Sequence, residues 1–236
     1  MAIKKIVWLG HASFLFYLKE SVVALDPWFV GNPSFPKDFK LPKIDYVLLT
    51  HGHQDHLGDT GVILEKNKEA KVVAQFELSL ILQKLYKLPL SKVIGVNVGG
   101  SVKIDEIEIK AVNAAHSNSI MVNDEIVGLG SAMGFVISDN KNTFYFAGDT
   151  ALFMDMKIIG DTFDITHAML PIGGTFTMSY KEVPYAVKLL NARCVIPMHY
   201  NTFEAIKVDV DDFKKLCKEN DIQAHVLEAG KEFDVL

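Results

Sequence analysis

Arginine is almost missing from this chain: Arg193 is the one guanidinium among 24 cationic side chains, and the formal net charge is −5. Nucleic-acid enzymes rely on a cationic track, and the bidentate fork that grips phosphates belongs to arginine. No nucleic-acid partner is therefore expected. The pair Lys214-Lys215 does not alter this, because Asp211, Asp212 and Glu219 stand beside it and the mixture reads as the solvated face of a helix. Cysteine is scarce too. Cys194 and Cys217 are too few and too isolated for a disulfide framework or a thiolate metal site, and free thiols suit a reducing compartment, so a cytoplasmic location is expected. Long apolar runs are also lacking. Residues 6–18, preceded by Lys4-Lys5, have the outline of a secretory signal, but Gly10-His11 interrupt them and no small-x-small cleavage pattern follows. The stretch is too short to span a bilayer, and two β-strands explain it better, so no membrane partner is expected.

No Pro/Gly/Ser-rich linker, short repeat or low-complexity tract divides the chain. With 49% hydrophobic and 22% charged residues, the composition is that of a packed protein, read here as one α/β domain over residues 1–236. Apolar, β-rich runs at 3–9, 12–18, 21–25 and 44–49 predict strands, the first three forming a meander. Helices are then expected near 57–67 and 77–87, strands at 71–75 and 93–98, and a hairpin over 101–114. The second half predicts strands near 132–138, 143–147, 164–170, 194–198 and 223–228, with helices near 151–159, 179–191 and 209–219. Residues 28–43 carry three prolines, Trp28, Phe29, Phe35 and Phe39. They read either as a lid or binding wall over a site or as a surface loop packing its own aromatics.

The densest chemical signal follows the apolar run Tyr46-Val47-Leu48-Leu49. Thr50-His51-Gly52-His53-Gln54-Asp55-His56 places four potential metal ligands within six residues. In an extended segment His51 and His53 point to one side, and Gly52 is read as allowing a tight turn between them. Asp55 and His56 stand where the chain enters the next helix and can face a second ion. Four such groups would repel or desolvate one another without a cation. His116, Asp149 and His199 each follow an expected strand, and strand carboxyl ends are where open α/β sheets bind ligands. Imidazole and carboxylate suit zinc first, and manganese, iron or nickel as well. His11 and Asp26 are each either structural or placed to orient a ligand imidazole or touch substrate. His167, inside an expected strand, reads as a hydrogen-bonded structural histidine, and His225 as exposed.

The Thr50–His56 segment resembles the HxHxDH signature of the metallo-β-lactamase superfamily, and His116, Asp149 and His199 fall in the order of its later motifs. Gly10-His11-Ala12-Ser13-Phe14, Leu25-Asp26-Pro27-Trp28, Phe146-Ala147-Gly148-Asp149-Thr150 and Ile196-Pro197-Met198-His199-Tyr200 are similar to the branch holding ascorbate-6-phosphate lactonase and its hydrolase relatives. The segment from Pro171 to Met178 resembles a loop that often carries a more polar residue where Thr175 stands. The resemblance implies a four-layer αββα sandwich with two divalent cations at one edge. His51, His53 and His116 would hold one, Asp55, His56 and His199 the other, and Asp149 would bridge. It further implies hydrolysis of a small ester, lactone or phosphoester by a metal-bridged hydroxide that Asp55 orients. Three alternatives are weighed against it. A diiron redox role would call for a carboxylate at position 53 and a flavin domain. A phosphodiesterase or nuclease would use the same two ions, and a non-catalytic metal-binding module would lack Asp55 or Asp149. The partner expected is a small-molecule substrate, with homo-oligomer formation left open.

Overall fold

The computed structural model describes residues 2–139 and 141–235. In the first half the chain forms β1 (Ile3–Trp8), β2 (Phe14–Leu18), β3 (Val22–Leu25), β4 (Tyr46–Leu48), α1 (Gln54–Leu57), α2 (Thr60–Lys66), β5 (Lys71–Gln75), α3 (Phe76–Leu85) and β6 (Val93–Val96). It continues through β7 (Ser101–Ile104), β8 (Ile107–Asn113), β9 (Ser119–Val122), β10 (Glu125–Gly128), β11 (Met133–Ser138) and β12 (Thr143–Phe146). The last stretch holds α4 (Met156–Thr162), β13 (His167–Pro171), α5 (Val183–Leu190), β14 (Cys194–Met198), α6 (Val210–Glu219), β15 (Gln223–Ala224) and β16 (Glu232–Asp234).

These strands build two seven-stranded sheets, ordered β16-β1-β2-β3-β4-β5-β6 and β15-β14-β13-β12-β11-β8-β7. Period-two alternation explains how the sheets stack. Along the first sheet, Ile6, Trp8, Phe14, Phe16, Val23, Leu25, Leu48 and Val73 join the core shared with the second sheet. Phe14 meets Phe146 edge-on with ring centroids 6.0 Å apart, and Phe16 meets Phe144 at 5.1 Å. The intervening Val7, Leu15, Ala24, Val47 and Val72 face outward onto Ile63, Leu64, Leu78 and Leu82 of α2 and α3. Strands buried on both faces read as continuous apolar runs, which is why they are visible in the sequence. On the far face of the second sheet, Val183, Ala186 and Leu190 of α5 and Phe213 of α6 are fully buried. The layering is α-β-β-α, as the resemblance implies.

Three differences from the sequence reading have physical causes. The hairpin β9–β10 lies in a stretch given no element, because its alternation is weak: Ile120 is buried while Met121 and Ile126 stand exposed. Its turn was nonetheless encoded, since Asn123 and Asp124 both take positive φ, as a tight two-residue hairpin turn requires. The expected helix at 151–159 begins only at Met156, because residues 151–155 carry the chain away from Asp149. The expected strand at 223–228 pairs over Gln223–Ala224 alone, and the chain then crosses to lay β16 beside β1.

The 28–43 segment packs its own aromatics rather than forming a lid. Phe29 meets Phe35 at 5.2 Å and Phe35 meets Phe39 at 6.3 Å, all against the cluster on the outer face of the first sheet. A cavity of about 530 Å³ lies between this segment and α2, away from the histidines. Trp28, at its start, does reach them.

Candidate metal centre

The candidate residues stand just past the carboxyl end of a strand, in the turn that follows, or on the short helix after it. His11 comes after β1, Asp26 after β3, His116 after β8, Asp149 after β12 and His199 after β14. His51 and His53 leave β4, and Asp55 and His56 lie on α1. Both sheets open at the same edge, and His51, His53, Asp55, His56, His116, Asp149 and His199 meet there. The imidazoles of His51, His53 and His116 bring one nitrogen each within 4.8 Å of one another; so do His11, Asp55, His56 and His199 with their own ligand atoms. The Asp149 carboxylate spans the two groups, lying 3.3 Å from His56 Nε2, 3.0 Å from His199 Nε2 and 3.5 Å from His116 Nε2.

Hydrogen bonds behind these groups fix their tautomers. Asp26 is fully buried; its carboxylate accepts from the Thr50 backbone N–H at 2.8 Å and from the Thr50 hydroxyl at 2.6 Å. It also accepts from His56 Nδ1 at 2.8 Å, which turns Nε2 toward the centre as the nitrogen a cation would take. With its one proton committed to Asp26, the Thr50 hydroxyl accepts from His51 Nδ1 at 2.9 Å, so His51 presents Nε2 as a lone pair. His11 lies 2.6 Å from the Thr202 hydroxyl through Nδ1 and donates from Nε2 to Asp55 at 3.0 Å. Asn118 accepts from the Gly52 N–H at 3.0 Å and ties this turn to β9. Gly52 does not take the left-handed backbone that its reading as a tight turn implied. A Cβ there would stand 2.7 Å from the Ser119 carbonyl oxygen, so the glycine is needed for close approach of the hairpin. His11, Asp26 and His199 do carry left-handed φ values of 55°, 41° and 54°. Such conformations in non-glycine residues cost on the order of 1 kcal/mol each and persist where surrounding structure enforces them.

The electrostatics separate the imidazoles into two sets. Burial lowers the pKa of His51, His53 and His116, so they stand neutral and ready to coordinate. Burial opposes charge on His56 and His199 as well, but Asp149 outweighs it, helped at His56 by Asp26, lifting His56 well above the usual range and His199 to about 9. Burial would raise the Asp149 pKa, yet the charges of His56 and His199 hold it well below the ordinary carboxylate range; at Asp55 burial is likewise outweighed, by the hydrogen bond from His11 and the nearby His199 and His56 imidazoles. His56 Nε2, Asp149 Oδ1 and both ring nitrogens of His199 are buried without a hydrogen-bond partner. Such orphans cost about 1–3 kcal/mol each unless something satisfies them. Divalent cations, displacing the protons of His56 and His199, would satisfy His56 Nε2, Asp149 Oδ1 and one nitrogen of His199, and a donor set of imidazoles and ionised carboxylates fits such ions.

The centre opens into a cavity of about 600 Å³, with His53, Asp55, His116, Asp149 and His199 at its floor. Its walls are Ala115, Ser117, Thr175, Phe176 and Phe203. The Thr175 hydroxyl is turned away into a bond with the Ala205 carbonyl at 2.5 Å. Thr50, Asn118, Thr202 and the two phenylalanines escaped the sequence reading. For Phe176 and Phe203 a signal existed, aromatics in loops just after expected strand ends. His167 lies outside this cluster, bonded to Thr166 at 2.8 Å and stacked on Phe144 at 4.5 Å, as a structural histidine would be. His225 is half-buried rather than exposed, set against Phe233 at 5.1 Å.

Residues 5–199 match the family described as a beta-lactamase superfamily domain. The chain belongs to that superfamily. Within it, the chain is 44% identical over 213 residues to a UPF0173 metal-dependent hydrolase of Caldivirga maquilingensis, covering 89% of this chain and 88% of that protein. It is 42% identical over 236 residues to a UPF0173 metal-dependent hydrolase of Pyrococcus furiosus, covering 98% and 99%. Among solved structures it resembles Igni18, a metallo hydrolase from Ignicoccus hospitalis, with a TM-score of 0.82, 31% identity and coverage of 99% and 98%. The family is one of metal-dependent hydrolases, and these names carry no substrate. Among the described residues no helix is long and apolar enough to cross a membrane.

Proposed function

We propose that this beta-lactamase superfamily member is a cytoplasmic hydrolase that holds two divalent cations, zinc foremost, and cleaves a small ester, lactone or phosphoester. The observation that carries the reading is the convergence of seven ligand-type side chains whose buried atoms at His56, Asp149 and His199 have no protein partner. His51, His53 and His116 would hold one cation, Asp55, His56 and His199 the other, and the Asp149 carboxylate lies within reach of both sets. When bound, such ions supply Lewis acidity and bring the pKa of water down toward ~7, so that a nucleophile is available near neutral pH without a catalytic serine or cysteine.

The chain's own residues do the rest. Asp55 lines the cavity with one oxygen fixed by His11, which places its carboxylate to orient an attacking water. Asp26 and Thr50 hold His56 and His51 in a single tautomer, so the ligand set is organised before substrate arrives. Phe176 and Phe203 narrow the mouth against bulk water. The test is hydrolysis of a panel of lactones, carboxylic esters and phosphodiesters by the protein as purified, after chelation and after restoring zinc or manganese. Turnover should vanish on chelation and return with metal. Equal rates with and without chelator, or no turnover by protein shown to hold two ions, would sink the reading.

A further inference from the structure

The charge of the cavity walls speaks to what the substrate carries beyond its scissile bond. Asp55 and Asp149, both on the floor, are the carboxylates lining the cavity, and among the described residues no lysine or arginine lines it. On the adjacent turn Lys207 is already paired with Glu204 at 2.6 Å. Thr175 spends its hydroxyl on the Ala205 carbonyl, which leaves Ser117 as the uncommitted polar wall group. The dominant wall groups are Phe176, 55% exposed, and Phe203, 39% exposed. Phe203 is held in place by stacking on Trp28 at 5.6 Å and by the edge of His11 at 5.5 Å. The bond between Thr175 and Ala205 ties the loop carrying Phe176 to the turn carrying Phe203, so the two rings stand as preformed walls.

An anionic group lying against these two rings, away from the cations on the floor, would lose its hydration and find no lysine or arginine to replace it. An apolar group there would cover two exposed rings at little ordering cost. We propose that the cavity selects substrates that are uncharged beyond the scissile group, with an apolar acyl or alcohol part packed against Phe176 and Phe203, and rejects those carrying a carboxylate or phosphate in that part. This rests on the hydrolase reading above and narrows it to esters, lactones and phosphoesters whose parts beyond the scissile group are neutral and apolar.

Calorimetric binding to the zinc-loaded full-length protein separates the two claims. The probes are two amides that differ in one terminal group, 4-nitrobutyranilide and its carboxylate counterpart 4-nitrosuccinanilic acid, with the matching 4-nitrophenyl esters as substrates. The neutral amide should bind about tenfold tighter than the anionic one, Phe203→Ala should lose about tenfold for the neutral amide, and Phe203→Leu should regain most of it. Phe176→Lys, at a half-exposed position, should turn the preference toward the anion. Equal or tighter binding of the anionic amide by the unaltered protein, or no binding of either at millimolar concentration, overturns the proposal. Selective binding of the neutral amide without hydrolysis of its ester upholds this specificity and overturns the hydrolase reading. Hydrolysis of both esters at equal kcat/KM does the reverse.

Discussion

Replacing Asp26 with asparagine tests how the centre is held. The change preserves shape but removes an acceptor. One asparagine oxygen can still accept from the Thr50 N–H, while the amide nitrogen would face the Thr50 hydroxyl and His56 Nδ1, which now approach Asp26 at 2.6 and 2.8 Å. His56 would lose the bond that fixes its tautomer. His51 would be loosened as well, since the Thr50 hydroxyl that orders it is itself ordered by Asp26. Hydrogen bonds to charged groups contribute about 1.5–3 kcal/mol, so the metal-free protein should lose about that much stability. An outer partner of a ligand imidazole is worth about 10–100-fold in metal affinity, or about 1.4–2.7 kcal/mol. Because one ordered imidazole sits in each ligand group, both cations should weaken. Competition against a chromophoric chelator reads the affinity, and thermal unfolding of the metal-free form reads the stability. Unchanged affinity with reduced stability would confine Asp26 to the fold, and no change in either would refute the anchoring argument.

Asp55→Ala, saturated with metal, should lose at least about 100-fold in kcat, and near-normal turnover would reject its place at the attacking water. His199 is raised in the metal-free fold to about 9 from 6.5, so its contribution to stability is complete below pH 6.5 and disappears as pH rises through about 9. The melting temperature of the metal-free protein should therefore fall across that window. Metal affinity should climb over the same window, because fewer protons must be displaced, and a flat profile in both would contradict the assignment. Gly58 has φ 42°, and a Cβ there would lie 2.4 Å from the Pro27 carbonyl oxygen and 2.5 Å from Trp28 Cα. Urea unfolding should show Gly58→Ala destabilised by more than about 2 kcal/mol and Gly128→Ala, in open space, changed by less than about 0.5 kcal/mol; similar losses at both would undo the steric argument.

The legible part of this centre is the part written locally. Four potential ligands packed between His51 and His56 call for a cation on charge grounds, and His116, Asp149 and His199 are flagged by the apolar strands they follow. What supports them is non-local. Asp26 and His56 are 30 positions apart, and His11 and Asp55 are 44 apart, so no period or spacing reveals either pair. Each residue could be named a candidate, but which imidazole it orders depends on how the two sheets meet. The 28–43 segment shows the same limit. Its aromatics were visible, yet whether they cover the site or one another is settled by where Phe29, Phe35 and Phe39 find the outer face of the first sheet. Thr175 illustrates a different one: it stands beside the centre, but the Ala205 carbonyl takes up its hydroxyl.

Elemental analysis combined with anomalous diffraction, on protein equilibrated with excess zinc, tests the central claim most directly. The account predicts two ions per chain about 3.5–4 Å apart. One should lie among His51, His53 and His116 and the other among Asp55, His56 and His199, with Asp149 touching both. A single ion, or ions placed away from these residues, would contradict it.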